Sequence, residues 1–132
     1  ALKARGLRAV LHLILGLPGE SAEMVLETFQ EAARLHPWGI KIHPLHVVAG
    51  APLEARWRRG EVELLSRGAF ASLVADGLEE LPGDVTVHRL TGERPEGALL
   101  APAWCRDKRR ALGAITSELQ RRGSWQGCRA KG

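Results

Sequence analysis

Two nearly continuous apolar runs, each ending at a turn and separated by one helical pattern, constrain this chain most. The first is Leu7 to Leu15, closed by Gly16-Leu17-Pro18-Gly19-Glu20; the second is Gly39 to Val48, closed by Ala49-Gly50-Ala51-Pro52. Between them Val25, Phe29, Ala32 and Ala33 recur at helical spacing, Ser21 stands as an N-cap, and Pro37 ends the pattern near His36. Glu20 and Glu23 suit the positive end of that helix's dipole. This is a β-α-β unit, and apolar residues on both parities of the first run predict a strand covered on both faces. Parallel strands joined in this way bring their C-terminal ends to one edge, where α/β proteins bind ligands.

The rest of the chain continues the alternation. Leu53 to Gly60 is a short, very basic helix candidate. Ser66 to Leu81 carries Phe70, Leu73, Val74, Leu78 and Leu81 on one stripe, weakened but not abolished by Gly68 and Gly77. After the turn Leu81-Pro82-Gly83-Asp84, Val85 to Leu90 reads as a third strand. Thr91 to Pro102 has no period and reads as a loop. Asp107 to Arg122 forms the last helix, with Leu112, Ile115 and Leu119 inward and Gly123 as its stop. Ser124 to Gly132 shows no pattern apart from Trp125. The order β-α-β-α-β-loop-α is α/β, without internal repeat.

At 132 residues the chain fits one domain, against the roughly 250 of a complete eight-unit barrel. It opens on Ala1 and enters a strand pattern almost at once, which we read as a fragment or a truncated reading frame. No run approaches the ~20 apolar residues of a membrane span, and no secretion signal opens the chain. Cys105 and Cys128 lie far apart and match no metal or redox spacing, which fits a reducing, cytoplasmic setting.

The net charge of +4 is unevenly placed. Residues 104–132 hold eight Lys and Arg against two Asp and Glu, whereas residues 1–103 hold eleven against thirteen. Such a tail attracts polyanions, RNA included, with Trp104, Trp125 and Lys108 flanking the helix as stacking or charge contacts. A solvated helix face explains the same charges. Packing of the helix on the sheet explains Trp104, while Trp125 stays open between packing and stacking. A stand-alone RNA-binding module is therefore the alternative reading of the chain.

Several side chains are placed to carry chemistry. The glycines of the Gly16–Glu20 turn allow backbone angles closed to other residues, helix N-terminal amides favour electron-rich groups, and Glu20 can accept from a hydroxyl or amine. A tight turn with an acid in the first helical turn explains the same five residues, and neither a P-loop nor a dinucleotide fingerprint is present. His43 and His46 stand three apart, so on a regular strand they face opposite ways and cannot share an ion, although Pro44 disturbs the alternation. Lys41 and His43 share a face. His12, among Val10, Ile14 and Leu15, reads as a hydrogen-bonded core histidine. His88 and Arg89 end a strand and lead into Thr91 and Gly92, where function concentrates; a buried carboxylate partner for Arg89 is the structural alternative. A metal-dependent hydrolase using His43, His46 and His88 rests on residue types alone, and we assign no metal ligand.

In order, the segments His12 to Glu20, Gly39 to Leu53, His88 to Gly92, Ala101 to Trp104, Lys108 and Arg121 to Gly127 resemble one family. It is the bacterial radical S-adenosylmethionine family called YhcC-type, related to the radical domain of the elongator catalytic subunit. The resemblance covers essentially the whole chain. His88-Arg89-Leu90-Thr91-Gly92 and Arg121-Arg122-Gly123-Ser124-Trp125-Gln126-Gly127 are its specific blocks; the first motif is shared widely among radical enzymes.

This resemblance implies the C-terminal portion of a partial (β/α) barrel, with residues 1–92 as its last β/α units and 93–132 as a C-terminal loop, basic helix and tail. Gly16, Leu17, Pro18, Gly19 and Glu20 would border S-adenosylmethionine. Lys41, His43 and His46 would face the cofactor or substrate chamber, and His88, Arg89, Thr91 and Gly92 would help close it. The cysteines that hold the family's 4Fe–4S cluster belong to the N-terminal half of the barrel, the partner this chain would need; two distant cysteines cannot replace them. The chain alone is therefore expected to be inactive, to expose a raw sheet edge and to associate. The family's substrate is unknown, with tRNA one possibility. Glu93 in place of Asp, the Glu96-Gly97 stretch and Asp107-Lys108 in place of Asn-Lys depart from the family pattern.

Overall fold

A computed structural model describes residues 1–92 and 97–131, so the departures at Glu93 and Glu96 lie outside the described residues. β1 (Val10–Leu15) leads through α1 (Ala22–Leu35) to β2 (Gly39–Pro44). The chain then forms β3 (Val47–Val48), α2 (Pro52–Arg58), α3 (Arg67–Glu80), β4 (Thr86–Arg89), β5 (Leu99–Ala101) and α4 (Lys108–Arg122). β1, β2 and β4 lie side by side in that order, all parallel. Sequential strands laid beside one another, each followed by a helix, are a stretch of barrel wall.

The caps that set the helices are the ones the sequence offers. The Ser21 hydroxyl accepts from the Met24 N–H at 3.2 Å, that of Ser66 from the Ala69 N–H at 3.1 Å, and the Asp107 carboxylate from the Arg110 N–H at 3.0 Å. Gly123 closes α4 at φ 63°. The inward stripe of α1 is Val25, Phe29 and Ala32; that of α3 is built on Phe70, Val74 and Leu78. Both stripes pack on Leu15, Ile40 and Ile42 from one face of the sheet, and Ile115 of α4 joins the same core.

The other face carries no helix among the described residues. His12 and Ile14 on β1 are exposed, which corrects the expectation of a strand covered on both sides and of His12 as a core residue. Apolar parity on both faces is also what a barrel strand shows, and here only the outer face has its cover within the chain.

Two boundaries and one inward position differ from the sequence reading. The run from Gly39 to Val48 is two strands, because β2 stops at Pro44, which has no N–H to give to a ladder, and β3 leaves for a second sheet. The segment read as a loop contains β5, antiparallel to β3, with Val47 opposite Ala101. Leu112, expected inward, is exposed on α4.

The last residues are held rather than patternless. The Gly127 N–H donates to the Leu78 carbonyl at 2.9 Å and the Arg129 N–H to the Glu79 carbonyl at 2.8 Å. The Gln126 side-chain amide donates to the carbonyls of Pro82 and Val85. Trp125, the one residue of that stretch expected to matter, is itself exposed. Among the described residues no helix is long and apolar enough to cross a membrane.

Candidate functional site: the uncovered face of the sheet

Parallel pairing brings the ends of β1, β2 and β4 to one edge, and with them the Gly16–Glu20 turn, Pro44 to His46, and Thr91. Gly16 at φ 92° and Gly19 at φ 79° take backbone angles that suit glycine. The Glu20 N–H closes the turn on the Leu17 carbonyl at 2.9 Å, and the Gly16 N–H donates to Glu20 Oε1 at 3.0 Å. The carboxylate thus holds the turn together. Leu65 rests against Gly16, where a Cβ would stand 2.9 Å from it. Beyond the turn lies an open cleft of about 630 Å³ whose far wall includes Glu61, Glu63 and Ser66.

On the uncovered face the register aligns His12 with Lys41 across β1 and β2; between β2 and β4 it shifts after Ile40, and beyond that irregularity Lys41 pairs with Arg89. In the next row Ile14 aligns with His43. The His12 and His43 rings stack with centroids 5.8 Å apart. His46 lies past the end of β2, so the alternation that would separate it from His43 no longer applies. A Cβ on the buried Gly92 would stand 3.5 Å from Nδ1 of His43 and 3.5 Å from Nδ1 of His46, so both rings close on the same glycine. His46 Nδ1 is 3.3 Å from the Pro44 carbonyl, which fixes that nitrogen as the donor.

His43 is held below the ordinary imidazole pKa of 6.5, first by burial and then by the positive neighbours His12, Arg89, His46 and Lys41. It is neutral at pH 7 and can accept a proton or a hydrogen bond.

His88 lies elsewhere. Its ring covers Gly39 at the start of β2 and packs on Trp38 with centroids 4.9 Å apart, and the Arg8 guanidinium sits over the same indole at 5.1 Å. This places His88 at the opposite end of the face from the Gly16–Glu20 turn. Thr91 is buried, and with Pro44, His46, Trp104 and Lys108 it borders a void of about 10 Å³, room for one water at most. Among the described residues no three His, Cys, Asp or Glu are grouped to hold a metal ion.

The tail's charges are largely engaged inside the fold. Arg106 donates to the Leu99 carbonyl, Arg110 pairs with Asp107, Arg121 with Glu118, and Arg129 with Glu79. Arg122 reaches Glu118, Asp76 and Glu79 together. Trp104 packs on Phe70 at 5.3 Å and donates its indole N–H to the Leu65 carbonyl, the packing role expected of it.

Sequence reasoning placed Lys41 and His43 on one face but missed His12. The signal, its register with Lys41, exists only once the strands are paired.

Residues 37–121 match the family described as the Radical_SAM C-terminal domain. The uncharacterized protein YtqA of Bacillus subtilis is 42% identical over 126 residues, which cover 96% of this chain and 39% of that protein. Protein YhcC of Escherichia coli K12 is 32% identical over 106 residues, 80% of this chain and 34% of that one. The solved structure of the archaeal Methanocaldococcus infernus Elp3 with an N-terminal deletion superposes with a TM-score of 0.82 at 24% identity, covering 95% of this chain and 29% of the other. The chain thus spans between a third and two fifths of the length of these two curated relatives.

Proposed function

We propose that this chain, which belongs to the radical SAM C-terminal domain family, forms one wall of the cofactor and substrate chamber of a radical S-adenosylmethionine enzyme. The observation that carries this reading is the asymmetry of the sheet. Helices cover one face, while the other presents exposed His12 and Ile14 and half-buried Lys41 and His43, with no helix over it among the described residues. A face so rich in hydrogen-bonding groups fits the interior of a barrel.

The sheet order leaves one side of β1 unpaired among the described residues. On its outer flank an apolar groove runs between Leu11, Leu13, Met24 and Leu35, with a volume of about 460 Å³. A preceding β/α unit, supplied by the N-terminal part of the barrel, would pair with that edge and fill that groove.

The residues present do not fit the iron–sulfur cluster. Cys105 is buried, Cys128 stands apart from it in sequence, and no ligand triad exists among the described residues. The cluster's thiolates would come from the N-terminal part, and we derive no step through it. The residues do fit the nucleoside side of the cofactor. Ile14 and Leu17 expose apolar surface at the end of β1, 47% and 43% accessible, and nothing lies within 4 Å of a Cβ placed on Gly19. A purine or ribose can lie on such a strand end. When bound, the cofactor supplies the hydrogen-abstracting chemistry, and the protein supplies position. The basic tail we assign to packing, since the guanidinium groups of Arg106, Arg110, Arg121, Arg122 and Arg129 pair within the fold.

The test is a titration of the chain with S-adenosylhomocysteine, followed through its backbone amide resonances. Saturable shifts at Gly16, Leu17, Gly19 and Glu20, with Gly68 and Gly113 unmoved, are expected at millimolar ligand. A response absent from the turn, or confined to α4, would contradict the assignment.

A further inference from the structure

We propose that Trp104 is a positioning residue for the cofactor end of the chamber. Its indole N–H holds Leu65 against the back of the Gly16–Glu20 turn, so a residue of the C-terminal part sets the seat of a turn distant in sequence. The proposal rests on the chamber reading above and adds to it the residue that fixes the turn from behind.

The turn closes on itself but does not make its own seat. Its two internal hydrogen bonds, from the Gly16 N–H to Glu20 Oε1 and from the Glu20 N–H to the Leu17 carbonyl, fix its curl. On one side β1 ties it to the sheet, where the Leu45 N–H donates to the Leu15 carbonyl at 2.9 Å. Behind it stands Leu65. A Cβ on Gly16 would lie 2.9 Å from both Cγ and Cδ1 of Leu65, and the three atoms nearest to that position all belong to this one side chain. The leucine is therefore seated on the bare Cα of the glycine.

Trp104 holds that leucine in place. Leu65 precedes Ser66, the N-cap of α3, so its carbonyl lies outside the ladder of the helix. Trp104 Nε1 donates to this carbonyl at 2.9 Å. The same ring lies on Phe70, with centroids 5.3 Å apart and planes inclined at 33°. Leu65 and Phe70 occupy the two positions, one before the cap and one in the first turns, whose apolar contact fixes the angle at which a chain enters a helix. Trp104 meets both. A phenyl ring would fill much of that space; the indole adds the donor.

The geometry carries this contact to the site. Leu65, Glu63 and Ser66 line the cleft of about 630 Å³ that opens beyond the turn. A shift of Leu65 thus moves the seat of the turn and the facing wall together. On another side Trp104 borders the void of about 10 Å³ shared with His46, Thr91 and Lys108, which leaves its ring no room to swing. Close-packed groups transmit displacement, and a misplacement of about 1 Å can cost roughly a hundredfold in rate.

The experiment compares the chain with Trp104→Phe, following backbone amide resonances during titration with S-adenosylhomocysteine. In the free protein the replacement should shift the amides of Gly16, Leu17 and Glu20 and leave that of Gly6 in place. Affinity at the turn should fall roughly fivefold, measured where urea unfolding shows both proteins fully folded, so that lost stability cannot produce the change. Leu65→Ala should weaken binding similarly, and the double replacement should cost no more than the larger single one, because the two act in series. Trp125→Phe, at an exposed indole outside this contact, should leave affinity unchanged. The unaltered chain gives an independent reading: the Trp104 indole N–H resonance should move with ligand at the same midpoint as Gly16. Unchanged affinity in Trp104→Phe, whatever its stability, would reduce Trp104 to packing and overturn the proposal. An indole resonance that stays still while the turn saturates would overturn it too. No response at Gly16 to Glu20 in the unaltered chain would instead defeat the chamber reading and this proposal with it, so the two failures are distinguishable.

Discussion

Gly77→Ala is expected to destabilise the fold by about 1–3 kcal/mol, although alanine is the better helix former. Gly77 sits on the buried side of α3, and a Cβ there would lie 2.3 to 2.4 Å from three ring carbons of Phe29. Phe29 is fully buried under α1, with Ile40, Ile42 and Val74 in the same core, so its ring has nowhere to withdraw. The helix-propensity gain of up to ~1 kcal/mol is outweighed by the cost of displacing a packed aromatic. Gly68, on the same helix with nothing within 4 Å of its Cβ position, supplies the contrast. Gly68→Ala should stabilise by about 0.5–1 kcal/mol. Urea unfolding of both variants decides it, and Phe29→Leu combined with Gly77→Ala should cost less than the two changes summed. Equal stabilisation by the two glycine replacements would show that α1 and α3 do not meet at this point.

Arg122→Met should be comparably severe, because this one guanidinium ties α4 to α3. Its Nη1 lies 2.7 Å from Asp76 and 3.2 Å from Glu79, its Nη2 donates to the hydroxyl and carbonyl of Ser72, and its Nε meets Glu118 at 2.8 Å. Glu79 is 3% accessible. Without Arg122 it keeps, among the described residues, the ion pair with Arg129, whose side chain is largely exposed. Removing one partner of a buried, hydrogen-bonded charge leaves the other uncompensated, and the expected loss is about 2–4 kcal/mol. Lysine should rescue little, since one ammonium cannot serve three carboxylates and a carbonyl.

The same cluster fixes an acid limb. Hydrogen bonds first from Arg121 and then from Arg122 hold the Glu118 carboxyl down at about 2, against an ordinary 4.5. A carboxylate with a depressed folded pKa contributes stability that is intact above its unfolded value. Glu118 therefore supports the fold at neutral pH and loses that support as the pH falls from 4.5 towards 2. Thermal unfolding across that window should show a steeper decline in the parent chain than in Arg122→Met.

The parts of the fold visible in the sequence are those set by short-range rules. Ser21, Ser66 and Asp107 cap helices because a side-chain oxygen two or three residues from the first free amides needs no tertiary partner. Val25, Phe29, Phe70 and Val74 were legible through periodicity alone. What escaped depends on contacts distant in sequence. β5 has three residues and exists because Val47 and Val48 present an edge to it. The tail is ordered by hydrogen bonds to carbonyls of Leu78, Glu79, Pro82 and Val85, more than 40 positions away, which no local pattern encodes. Gly77 looked like a weak point in a helix and is a contact surface.

At the site the division is similar. The strand-end turn, Lys41 and His43 were recognisable as residues that share an edge or a face. The inclusion of His12, the convergence of His43 and His46 on Gly92, and the displacement of His88 to the far end all follow from register and from the break at Pro44.

The account stands most directly on one measurement: cleavage of S-adenosylmethionine to 5′-deoxyadenosine after this chain is joined to the part of YtqA that lies outside the match, with iron and sulfide reconstituted and a reductant supplied. We expect cleavage by the joined protein, none by this chain alone, and a loss of cleavage when Gly19 is replaced by a bulky residue. A joined protein that assembles its cluster and pairs along β1, yet cleaves at the same rate with or without the Gly16–Glu20 turn, would contradict the claim that this chain walls the chamber.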